Sequence, residues 1–237
     1  MLVSCALLVS SHSRALETAR MALPEDFRNQ SEHLQFAGFG GHNKGTWKLG
    51  DYSGDFTRSE SRLGVFDPLF VSNKGKSSFT FPAAGADNPL DVACEMRKKS
   101  VTIDIVTFDP KKFAYNCDFR RAGALTGDRL ILGYGKPANM KERFVANDAR
   151  VGEAIVDGMH VTLKSVHKYD GSVFSSQAPV GYLVNRGNDT VAAVELTDWN
   201  PSVYLKDDLQ AADRQKLLVI ALAIAVLRDP ANSALED

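Results

Sequence analysis

Between Leu217 and Leu227 the chain reads LLVIALAIAVL, eleven residues without one polar side chain. Alanine and leucine favour helix, and the β-branched residues among them are tolerated where packing rewards them. Asp207 or Asp208 offers an N-cap, and Arg228, Asp229 and Pro230 close the run, which predicts a helix over 207–228. Such an apolar run rises about 16 Å, little more than half the hydrocarbon core of a bilayer, so it is too short to span one. A surface helix would carry a polar stripe, and this one carries none, so it must be buried on every side. A sheet closed around it would bury it, and so would a sheet on one side with a second subunit on the other.

The rest of the chain favours the closed sheet. Phe113, Tyr115, Cys117 and Phe119 alternate with Lys112, Asn116 and Asp118, and Met159, Val161 and Leu163 alternate with His160, Thr162 and Lys164. Val101, Ile103 and Ile105 follow the same rule until the period slips at Val106. Turn chemistry separates the runs at Gly40-Gly41, Asn73-Lys74-Gly75, Asp109-Pro110, Asp157-Gly158, Asp170-Gly171 and Gly187-Asn188-Asp189. Candidate strands number about a dozen, which predicts a mainly β fold: a closed antiparallel barrel of about twelve strands around a buried C-terminal helix. Its domain is residues 31–237, preceded by a leader at 1–30. The leader's apolar Met1–Val9 leaves three readings open: an untranslated or unstructured extension with the true start at Met21, an export signal or lipoprotein anchor at Cys5, or a structured element. Localisation is correspondingly open between a cytoplasmic or membrane-peripheral protein and an exported one.

Twenty-eight Lys and Arg against 29 Asp and Glu give a net charge of −1, which excludes a dedicated nucleic-acid binder because such proteins need a cationic surplus against phosphates. Catalytic motifs are missing as well. The cluster Gly38-Phe-Gly40-Gly41-His42-Asn43-Lys44-Gly45 fails the phosphate-loop pattern because Thr46 follows Gly45, and it fails the dinucleotide pattern at Asn43. No G-x-S-x-G elbow occurs, and the five histidines form no H-E-x-x-H and have no close cysteine pair, so neither a metal nor another cofactor is expected. Cys94 and Cys117 both fall on inward faces, as two buried thiols or, in an exported protein, as a bridge.

The order of elements resembles the tubby C-terminal-like superfamily, which includes the phospholipid scramblases and the LURP-one-related proteins. The stretch that carries the resemblance is Val180-Gly-Tyr-Leu-Val to Asn188, Thr190-Val-Ala-Ala-Val-Glu-Leu, Trp199-Asn-Pro-Ser-Val-Tyr-Leu, and Arg214 leading into the apolar run. The Tyr52–Phe66 segment, read as a hairpin, sits where such barrels carry early strands. The resemblance implies a twelve-stranded barrel threaded by its last helix.

One group of charges stands out. If 90–97, 101–108 and 113–120 form a meander, Arg97, Lys98, Lys99, Arg120 and Arg121 gather at one end, with Lys111 and Lys112 at the other. Five cations on a near-neutral chain make a local anion site suited to a phospholipid headgroup or a phosphorylated ligand. The expectation is therefore a non-enzymatic, membrane-peripheral or anion-binding protein. An enzyme with an unrecognised cleft and an envelope lipoprotein acting as an interaction module are the alternatives. The sequence sets no oligomeric state.

Overall fold

The structure is a computed structural model that describes residues 19–64, 71–82, 88–97, 114–135 and 149–227. A short helix α1 (Glu25–Arg28) precedes β1 (Ser31–Gln35), β2 (Lys44–Leu49), β3 (Tyr52–Gly64), β4 (Val71–Phe81), β5 (Leu90–Arg97) and β6 (Ala114–Arg121). Then come β7 (Ala124–Tyr134), β8 (Arg150–Val156), β9 (Met159–Val166), β10 (Gly181–Arg186), β11 (Asp189–Glu195), β12 (Ser202–Lys206) and a terminal helix α2 (Ala211–Ala225).

These twelve strands form one antiparallel sheet in which β2 to β12 follow in sequence order and β1 pairs with β12. Its two edges, β1 and β2, are joined by a single antiparallel bridge, Ala37 to Lys48, so the barrel is nearly closed. Alternation explains the pairing: Val92, Cys94 and Met96 of β5 and Tyr115, Cys117 and Phe119 of β6 point inward, as do Val161 and Leu163 of β9. The Asp157-Gly158 turn has positive φ at both residues, 48° and 76°, the geometry that matches the twist of flanking strands.

α2 fills the barrel. Residues 217–227 are all buried among the inward strand residues, as the missing polar stripe requires. The helix starts later than expected, because β12 runs to Lys206 and the Asp207 N–H donates to the Gln30 carbonyl. Asp207 and Asp208 therefore shape the strand-to-helix turn, and the N-cap is Gln210 without a side-chain bond. At the far end of the helix, the Tyr115 hydroxyl donates to the Ala223 carbonyl at 2.9 Å and lies 2.9 Å from Ser77 Oγ. Burial raises the Tyr115 pKa far above that of a free phenol. The helix thus gives the barrel two distinct ends, an entry end where β12 hands over to α2 and an exit end near Tyr115.

Three expectations change. Tyr52–Gly64 is one long strand paired with β4, not a hairpin. Asn73-Lys74-Gly75 lies inside β4, where Gly75 leaves room for Met96: a Cβ there would sit 2.7 Å from the Met96 methyl carbon. The predicted strand at 101–108 falls outside the described residues, and β5 pairs directly with β6, so no strand lies between them.

Residues 21–30 run as a strap over the outer face of β10–β12. Met21 and Phe27 are buried there with Val180, Ala193 and Tyr204 in a second apolar cluster. The Met21 N–H donates to Glu195 Oε1 at 2.6 Å, and Tyr204 Oη donates to the other carboxylate oxygen at 2.8 Å. Burial, then the Glu195 hydrogen bond and charge, push the Tyr204 pKa up to about 12.

Candidate functional site

The direct β5–β6 ladder separates the predicted cation group. Arg97 pairs with Ala114, whereas Arg120 and Arg121 pair with Asp91 and Leu90, seven residues further along. At about 3.3 Å per residue the two sets stand about 23 Å apart. Arg97 is at the exit end and Arg121 at the entry end, so Arg97 does not share a site with Arg120 and Arg121; the meander that would have gathered them needed a strand between β5 and β6. Lys98, Lys99, Lys111 and Lys112 lie outside the described residues. Arg120 points to the outer wall, beside a shallow groove shared with Asp55, Thr57, Ser78 and Asp91.

The exit end carries a different feature. The connections β9–β10 and β11–β12 both leave the barrel there, two strand spacings or about 10 Å apart at their roots. They present Val173, Phe174 and Trp199, which are 84 %, 80 % and 75 % exposed. Large apolar side chains at this exposure on neighbouring connections are uncommon on a surface with no partner. Both connections are held firmly. The Ala22 N–H donates to the Lys168 carbonyl, and Arg28 Nη1 meets Asp170 Oδ2 at 2.6 Å, which holds the Asp170 carboxyl below its usual pKa. Trp199 rests on the glycine cluster: a Cβ at Gly41 would lie 2.9 Å from ring carbon Cε3, and Gly41 has φ +76°. The Gly40 N–H donates to Asn200 Oδ1 at 3.2 Å. The cluster that resembled a phosphate loop is thus a seat for Trp199.

Sequence reasoning passed over these three residues, although a visible signal existed. Val173 and Phe174 interrupt the turn segment Asp170-Gly171-Ser172, and Trp199 stands between Asp198 and Asn200.

Cys94 and Cys117 are directly opposed across β5 and β6 and joined by a disulfide, with Cα atoms 4.0 Å apart. Their inward placement agrees with the alternation, and the bond replaces the reading as two free thiols. One pair has the spacing of a nucleophile and base: Ser165 Oγ lies 2.8 Å from His167 Nε2. His167 Nδ1 faces the carbonyls of Ser176 and Gln177, which places its proton on Nδ1 and leaves Nε2 to accept from Ser165. Ser165 is buried and already accepts the Arg150 N–H at 2.8 Å, so the pair braces the β9–β10 connection against the barrel. Among the described residues no group of His, Cys, Asp and Glu could hold a metal ion, and no helix is long and apolar enough to cross a membrane.

No family model matches the chain, and neither does any curated protein or solved structure.

Proposed function

We propose that the protein is a non-enzymatic, membrane-peripheral binding protein whose exit end docks on a bilayer containing anionic phospholipid. The observation that carries this reading is the exposure of Val173, Phe174 and Trp199 on adjoining connections at one end of the barrel. The three sit on loop tips rather than in a groove or on a flat strand face, a form suited to entering a soft interface. Tryptophan favours the headgroup level, where its ring is apolar and its N–H is wet. Asp170 beside Phe174 is paired with Arg28, which limits its repulsion from anionic lipid. The Cys94–Cys117 bond supports a place on the oxidising side of a membrane, since such bonds persist in exported proteins.

Co-sedimentation with phosphatidylcholine vesicles containing phosphatidylserine tests the reading. The full chain is expected to bind, and Trp199→Ala with Phe174→Ala is expected to weaken binding at least tenfold while leaving Tm within about 2 °C, because both side chains lie outside the core. Equal binding by wild type and double variant, or no binding at low salt, would reject it.

A further inference from the structure

At the entry end, a recess of about 150 Å³ opens where α2 enters the barrel. Its floor is apolar, built from Phe81, Leu90, Val156 and the helix residue Val219, and its rim carries Arg121 and Lys216. Of the two carboxylates on the rim, Asp128 is held by neighbouring donors and Asp157 faces Lys216 itself. Asp128 Oδ2 accepts from the Thr126 hydroxyl at 2.9 Å and Oδ1 accepts from the Asp157 N–H at 2.8 Å. Lys216 meets Asp157 and Asp213 only loosely, at 3.8 Å each. The Arg121 side chain makes no hydrogen bond or ion pair with any described residue, although its guanidinium has five donors in a fork that fits an oxyanion.

We infer that this recess binds a small organic phosphate, with Arg121 and Lys216 on the phosphoryl oxygens and a short carbon chain on the apolar floor. A cation pair alone would favour any anion; the apolar floor selects one that carries carbon. Inorganic phosphate should therefore bind more weakly than a short alkyl phosphate, and the uncharged alcohol should bind least. The site is independent of the bilayer reading, because it lies at the opposite end of the barrel from Trp199.

The test is an NMR titration of the full chain, labelled with nitrogen-15, with butyl phosphate, inorganic phosphate and butanol. Butyl phosphate is expected to move the signals of Arg121, Asp157 and Lys216, with inorganic phosphate at least fivefold weaker and butanol without effect. Arg121→Gln should weaken butyl phosphate at least tenfold, while Arg120→Gln on the outer wall should not. Vesicle binding should be the same in Arg121→Gln as in wild type, which keeps the failure of either proposal distinguishable from that of the other. The inference is overturned if butyl phosphate at millimolar concentration leaves these signals in place, if Arg120→Gln weakens it equally, or if inorganic phosphate binds as well as butyl phosphate.

Discussion

Replacing Leu222 by alanine probes the enclosed helix at its middle. Leu222 is 0 % exposed, and both its helical neighbours and the inward strand residues around it are buried too. Truncation removes the transfer energy of the lost carbons and leaves a void that the surroundings fill only partly, for a combined loss of about 2–5 kcal/mol. The upper half of that range is expected, because the enclosing sheet is tied by hydrogen bonds on nearly every strand and has little freedom to collapse inward. For a chain of this size a loss of about 3.5–5 kcal/mol corresponds to a Tm lower by roughly 7–20 °C. Urea unfolding followed by far-ultraviolet circular dichroism measures the stability change, with an unchanged m-value showing that the native and unfolded states keep their compactness. Leu222→Asp should not fold, since its carboxylate would find no partner in an apolar interior. A loss below about 1 kcal/mol for the alanine variant, or a soluble aspartate variant with wild-type melting, would refute an enclosed helix.

Converting both Cys94 and Cys117 to alanine should cost about 3 kcal/mol by the loop-entropy relation for a sequence separation of 23, measured by urea unfolding without reductant. Thiol reagents should leave Cys94 and Cys117 unmodified in the native, unreduced protein. The raised pKa of Tyr204 means that the unfolded chain ionises first, so its stabilisation is present below pH 10 and is lost as pH rises towards about 12. Tyr204→Phe should flatten the fall of Tm with pH in that window. Gly181→Ala would bring a Cβ to 2.2 Å from both Met21 Sδ and the Val194 carbonyl oxygen, and should lower stability by about 1–3 kcal/mol as the strap is displaced.

The barrel was legible in the sequence because its two governing patterns are local. Alternation in Tyr115–Phe119 and Met159–Leu163 sets which residues face inward, and an apolar run with no polar stripe can be satisfied only by enclosure. The turn at Asp157-Gly158 was equally plain, since a two-residue hairpin requires positive φ that few other residue pairs accept. Register was not legible. Whether β5 pairs with 101–108 or with Ala114–Arg121 depends on strands meeting across many intervening residues, and both segments alternate. Choosing the first placed Arg97 beside Arg121; the actual pairing sends them to opposite ends. The Asn73-Lys74-Gly75 signal misled for a related reason, because Gly75 answers to the bulk of Met96 on a neighbouring strand rather than to a turn. The strap was hidden as well: Met21, Leu23 and Phe27 follow neither a helical nor a strand period, and only the outer faces of β10–β12 give them a place to pack.

The central claim, that the exit end meets a bilayer, is tested most directly by tryptophan fluorescence with vesicles of phosphatidylcholine and phosphatidylserine that carry brominated acyl chains. The protein has two tryptophans: Trp199, largely exposed, and Trp47, wholly buried in the barrel core. Bromine quenches an indole that enters the acyl region, so Trp199 should blue-shift and lose most of its emission on binding while Trp47 stays constant. Trp199→Phe should retain a signal that brominated vesicles do not change. Unquenched Trp199 on vesicles that demonstrably carry the protein would contradict the claim and place the membrane contact elsewhere on the barrel.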